Sequence, residues 1–161
     1  GMSENVSQII NTSENNSKVF VWAYNFHVKK NKITYTNDFS MGHFLKEKYG
    51  KKYYSIGFDF ATGNFYAVNS KKNKIEKYTI DKPMKNTSSE LFSKSKLSIF
   101  FLDFNSISKN KLMSEFLNTK VKYRGIGSTY SPKMVEKEKL MNAYDGIIFV
   151  NKTNESTYLR K

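Results

Sequence analysis

The stretch Val19-Phe20-Val21-Trp22-Ala23-Tyr24-Asn25-Phe26-His27-Val28 opens on a continuous apolar run and closes near a histidine. An unbroken run of branched and aromatic residues suits a strand covered on both faces, as in a parallel sheet. Two later runs read the same way: Leu97-Ser98-Ile99-Phe100-Phe101-Leu102 and Gly146-Ile147-Ile148-Phe149-Val150. Segments with helical spacing separate them. From Ser40 to Gly50, Met41, Phe44, Leu45 and Lys48 share one face, Asp38 is the expected cap and Gly50 the stop. Ser88 to Ser95 reads as a short helix with Leu91 and Phe92 inward, and Lys109 to Asn118 as another, with Leu112, Met113, Phe116 and Leu117 in register.

Tyr53 to Phe60 reads as an aromatic strand, Ala61-Thr62-Gly63-Asn64 as a turn and Phe65 to Val68 as the returning hairpin partner. A second turn at Lys71-Lys72-Asn73-Lys74 precedes an alternating strand, Ile75 to Ile80, and Val121 to Gly125 forms a further short one. Buried strands alternating with helices predict an α/β fold: a mostly parallel central sheet flanked by helices, with an inserted antiparallel hairpin. Residues 1–17 are expected to be a flexible arm or short helix, and residues 18–161 a single domain.

Composition narrows the classes. With 161 residues, 16% of them aromatic, the chain has enough apolar surface to bury a core. The absence of cysteine excludes disulfides, thiolate metal sites and a cysteine nucleophile. No run approaches the ~20 apolar residues of a membrane span. A cytoplasmic protein with no membrane association is expected. The net charge of +13 raises the question of nucleic acid. Only Arg124 and Arg160 are arginines, the residue that makes forked contacts to phosphate and guanine, so specific nucleic-acid binding is disfavoured. The lysines lie in several groups beside Glu47, Glu76, Glu136 and Glu138, the pattern of a solvated surface.

Candidate chemistry has few centres. His27 directly follows an expected strand, where ligands gather in open α/β sheets, and could act as general acid or base near neutral pH. The same position also suits a histidine that merely hydrogen-bonds at a strand–loop junction. His43 falls on the second segment's helix, two residues after Met41, a position equally suited to packing. Asp59, Asp103 and Asp145 stand at or beside strand ends as acids, caps or turn formers. There is no glycine-rich phosphate loop, nucleophile elbow or paired-histidine zinc motif, and no cofactor or metal is expected.

Three segments together resemble the erythromycin esterase-like family. Trp22-Ala23-Tyr24-Asn25-Phe26-His27 resembles its tryptophan-alanine-histidine-asparagine-x-histidine stretch. Ser40 to Gly50, followed by Tyr53 to Phe60, is similar to the next helix and strand. Tyr123-Arg124-Gly125-Ile126-Gly127 through Tyr144 to Thr153 is similar to the C-terminal block. The resemblance implies hydrolysis of a macrolactone or related ester by histidine-activated water, without a required metal, and hence a link to antibiotic resistance. His27 is the implied catalytic residue, and Tyr24, Asn25, His43 and Asp59 the implied substrate-binding set. Tyr24 stands where the family has a histidine, and with an ordinary pKa of about 10 it is a donor rather than a base. The resemblance covers the C-terminal half of the family pattern. A truncated homologue of doubtful activity is therefore expected, with a macrolide or other ester as ligand and a homodimer as a possible way of joining two sites. The alternative is a non-catalytic ligand-binding or polyanion-binding module.

Overall fold

The computed structural model describes residues 1–33, 36–69 and 71–157. Thr34 and Tyr35, within the polar loop expected from Lys29 to Asn37, and Arg160 lie outside the described residues. The elements in chain order are α1 (Met2–Thr12), α2 (Asn25–Val28), α3 (Met41–Tyr49), β1 (Ile56–Asn69), β2 (Lys74–Ile80), α4 (Ser88–Phe92), β3 (Ile99–Asp103), α5 (Phe104–Ile107), α6 (Lys111–Asn118), β4 (Lys120–Arg124), β5 (Val135–Lys139), α7 (Leu140–Ala143) and β6 (Gly146–Thr153).

The expected α/β layering is present, but the sheet is not mostly parallel. Its order is β2-β1-β6-β3, in which only β1 and β6 run parallel; β2 and β3 join antiparallel. β4 and β5 form a separate antiparallel pair. β1 changes partner at Gly63, which pairs with Thr153 of β6 and with Ile80 of β2. This residue has φ 131°, and a Cβ there would stand 2.1 Å from the Thr153 carbonyl oxygen. The expected turn at Ala61 to Asn64 is thus a continuation of the strand: a glycine bend switches the ladder without reversing the chain. The reversal comes instead at Lys71 to Asn73, where Asn73 adopts φ 49°.

The opening apolar run departs most from expectation. Val19 to Ala23 forms no strand; Val21 and Ala23 pack on the core while Phe20 and Trp22 are 80% and 75% exposed. A strand needs a neighbouring backbone, and the adjacent edge of β1 is occupied by side chains, as described below. His27 accordingly sits in the one-turn helix α2 rather than at a strand end.

One face of the sheet is closed by helices. Phe92 of α4 packs edge-on against Phe149, 5.5 Å between ring centres, and against Phe100 and Phe116. Leu91, expected inward, is exposed, because the single turn of α4 buries Ser88, Ser89 and Phe92 instead. The helix α3 begins at Ser40, whose Oγ accepts from the His43 backbone N–H at 3.4 Å; Ser40 rather than Asp38 is the cap. α1 lies against α3 with Val6 on the core. No helix among the described residues is long and apolar enough to cross a membrane.

Candidate functional site

The α2 turn is fixed from both ends. At its start the Asn25 carboxamide copies a strand partner: Nδ2 donates to the Phe58 carbonyl at 2.6 Å and Oδ1 accepts from the Phe58 N–H at 2.8 Å. At its end the Val28 carbonyl accepts from Ser55 Oγ at 2.6 Å and Tyr53 Oη at 2.7 Å, and the Lys29 carbonyl from Ser40 Oγ at 2.7 Å. Gly42 of α3 passes so close that a Cβ would lie 2.3 Å from the Val28 oxygen. Between these anchors Tyr24 and His27 stand together, rings edge to face with centres 5.9 Å apart. Tyr24 is exposed and His27 half-buried, and the imidazole makes no hydrogen bond among the described residues.

Lys29 continues from this turn into a buried charge cluster. Its ammonium is fully buried and pairs with both Glu136 and Glu138 of β5. Tyr123 Oη donates to Glu136 Oε2 at 2.6 Å and also touches Glu138, which accepts from Asn31 Nδ2 as well. Glu136 and Glu138 were expected on a solvated surface; both are buried. The period-two spacing explains it, since Glu136 and Glu138 share the β5 face that also bears Tyr123 across the ladder.

Asp59 lies at the same β1 edge. Its Oδ1 is 3.2 Å from Arg124 Nη2, it accepts from the Phe60 N–H at 2.8 Å, and Ser88 Oγ donates to it at 3.3 Å. Burial pushes its carboxyl above the usual range, against the opposing pull of Arg124 and those hydrogen bonds. Arg124 also donates to the Phe60 carbonyl and stacks 4.6 Å over the Phe60 ring, while its Nε and Nη1 are buried without a partner among the described residues. Asn25, Asp59, Ser88, Tyr123, Arg124 and Tyr144 surround a cavity of about 10 Å³, the scale of one water molecule.

The structure therefore brings Tyr24, Asn25 and His27 onto one turn and places Asp59 beside Asn25. His43 stands apart from them in its contacts: it stacks on Phe39 at 4.2 Å and lies 3.4 Å from Glu47. Asn25 spends its carboxamide on the open edge of β1, and Asp59 accepts there from the Phe60 N–H while also holding Arg124 and Ser88. Asp103 caps α5 and accepts from Tyr54 Oη at 2.7 Å; Asp145 pairs with Lys30 at 2.7 Å and accepts from the Ser55 N–H. Lys29 and Arg124 were not singled out from the sequence; Glu at alternate positions in Val135 to Lys139 was the available signal. Among the described residues no three His, Asp or Glu side chains are placed to hold a metal ion.

Comparison with known proteins identifies relatives of the chain as a whole. The chain is 25% identical to the putative hydrolase YbfO of Bacillus subtilis strain 168 over 172 residues, covering 99% of this chain and 35% of that protein. A crystal structure of a Bacillus cereus protein superposes with TM-score 0.81 at 26% identity, over 95% of this chain and 37% of the other. A mutant of the erythromycin esterase EreC in its open conformation shares the fold, with TM-score 0.60 at 13% identity over 94% of this chain and 36% of that one. The chain thus spans little more than a third of the length of these relatives. The erythromycin esterase family model matches residues 1–153, taking in α1, the Tyr24–His27 turn and the whole sheet, and on that match the chain belongs to the erythromycin esterase family.

Proposed function

We propose that this chain supplies part of an ester-hydrolysing site, with His27 as its proton-transfer group and Tyr24 as a hydrogen-bond donor. The observation that carries the reading is the paired Tyr24 and His27 on a turn clamped at both ends, its imidazole unengaged. In the reaction, His27 takes a proton from water as the oxygen attacks the ester carbonyl. The oxyanion is held by donors, and collapse expels the alcohol, which receives the proton from the imidazolium. The aromatic surface around Trp22 and Phe58, whose ring centres lie 5.2 Å apart, suits a substrate with a broad apolar body such as a macrolactone. Among the described residues no carboxylate lies within ion-pair distance of His27.

Turnover of erythromycin and of a panel of p-nitrophenyl esters tests this, with the chain alone and with a polypeptide carrying the rest of the family fold. The expected result is hydrolysis that falls by about a hundredfold or more in His27→Ala. Hydrolysis unchanged by that substitution, or none by either preparation of folded protein, would refute the reading.

A specific feature favours a second reading, polyanion binding. Across β4 and β5, Lys120 faces Lys139 and Lys122 faces Lys137, like charges directly opposed. Lys94, Lys120, Lys122 and Lys137 line a groove of about 420 Å³, and none forms an ion pair among the described residues. A bound polyanion would relieve this repulsion. Binding to duplex DNA or polyphosphate should then fall steeply with salt and disappear in the Lys122→Glu/Lys137→Glu double variant; retention in that variant would count against it.

A further inference from the structure

The β4–β5 ribbon uses its two faces differently. Strand alternation puts Tyr123, Glu136 and Glu138 on one face, where Lys29 takes up both carboxylates. The other face carries Lys122 opposite Lys137 and Lys120 opposite Lys139, and no acidic residue. The glutamates that alternate with lysine in Val135 to Lys139 are thus withdrawn from the surface they would neutralise. Directly opposed like charges are unfavourable, and a bound anion relieves them.

Two helices turn this face into a groove. Thr87, the cap of α4, forms an isolated parallel bridge with Lys122, and Lys94, just beyond the end of α4, brings a fourth ammonium. Leu91 of α4, Phe116 of α6 and Val121 of β4 supply an apolar wall. Leu91 is exposed, and Phe116 and Val121 are half-buried. The volume, about 420 Å³, falls within the range of small-molecule sites. Lysines on a ribbon edge also keep other chains from pairing with it. That purpose requires neither an apolar wall nor Lys94 converging from a different element.

The same features define the ligand. Lys122 and Lys137 stand about 5 Å apart across the ladder, and Lys120 lies about 7 Å along the strand from Lys122. Charges so closely set match anionic groups joined within one compact molecule. Glu90 also lines the groove, but its carboxylate is occupied by the Asn86 N–H at 2.6 Å. Four lysines against this one acid leave a strong positive excess, and lysine binds phosphate as a point charge. A DNA duplex would meet the lysines with its phosphates and leave the apolar wall unused.

We infer that this groove binds a small polyphosphorylated molecule of the nucleoside triphosphate class, its phosphates on the lysines and its less polar body against Leu91, Phe116 and Val121. The inference rests on the polyanion reading of the same lysines and names their ligand.

Calorimetric titration of the chain with ATP, AMP, inorganic tripolyphosphate and a short DNA duplex at near-physiological salt tests it. The expected result is one-to-one binding of ATP, about tenfold or more tighter than AMP. Binding should be lost in Lys122→Glu/Lys137→Glu and kept in Lys51→Glu/Lys74→Glu, an equal charge change at exposed positions outside the groove. Leu91→Ser should weaken ATP about threefold or more and leave tripolyphosphate unchanged. Melting curves of the variants separate loss of binding from loss of fold. Equal ATP binding by both double variants, ATP no tighter than AMP, or the same effect of Leu91→Ser on ATP and tripolyphosphate would overturn the inference. Duplex bound through Lys122 and Lys137 while ATP is not would overturn it and leave the polyanion reading standing. No anion held through those lysines would remove both.

Discussion

At the scale of single residues, the polar groups around α2 are more committed to structure than their positions in the chain suggest. Asn25 and Asp59 satisfy the backbone of β1, and Lys29 pairs with two carboxylates that β5 points inward. A buried pair stabilises little in net terms against an apolar replacement of the whole cluster, but losing one partner strands the others. Lys29→Met should therefore destabilise the protein by about 3–5 kcal/mol, read from denaturant midpoints at neutral pH. A loss under about 1 kcal/mol would mean that the two glutamates find other compensation. Nothing in the local sequence marked Lys29 as special. It stands among Lys30 and Lys32, and only the folded chain shows which of them faces inward.

At the scale of elements, the site depends on the closeness of α3 to α2. The helical spacing and the Gly50 stop of α3 were legible, as were β2, β4 and β6, because each has a clear period or a sharp boundary. What could not be read was that Gly42 lies against the end of α2, since a helix-interior glycine signals only a weakness until its neighbour is known. Gly42→Ala would improve intrinsic helix propensity yet force the Val28 carbonyl away. It is expected to cost about 1–3 kcal/mol and to lower any His27-dependent turnover as the turn shifts. Urea unfolding together with ester turnover checks both, and a stabilised variant would show that α3 is free to move.

At the scale of the whole molecule, buried tyrosines set the response to alkali. Burial pushes Tyr53 up to about 12 and likewise raises Tyr123, Tyr130 and Tyr144. In the unfolded chain these hydroxyls ionise near pH 10. The folded state then holds more protons above that point, so their contribution is complete below about pH 10 and is lost as pH rises toward and beyond 12. Lys30, lowered mainly by burial, acts in the opposite sense but is one group against four. The urea midpoint should therefore drop clearly between about pH 8 and about pH 11.5; a flat profile would show that the tyrosines ionise without unfolding.

Sequence alone determined the α/β class, the central strand Gly146 to Val150 and, through three ordered segments, the family; those signals are local periods and motifs that survive without knowledge of partners. The family match reaches back to residue 1, before the first segment that carried the resemblance. Only tertiary structure decided the strand directions, the continuation of β1 through Gly63 and the fate of Val19 to Ala23. Those depend on which backbone edge is free, and a run of apolar residues does not say whether a neighbour waits beside it. Here the edge of β1 is closed by Asn25 and Arg124, and the apolar run that reads as a buried strand instead holds Phe20 and Trp22 out beside an uncovered sheet face.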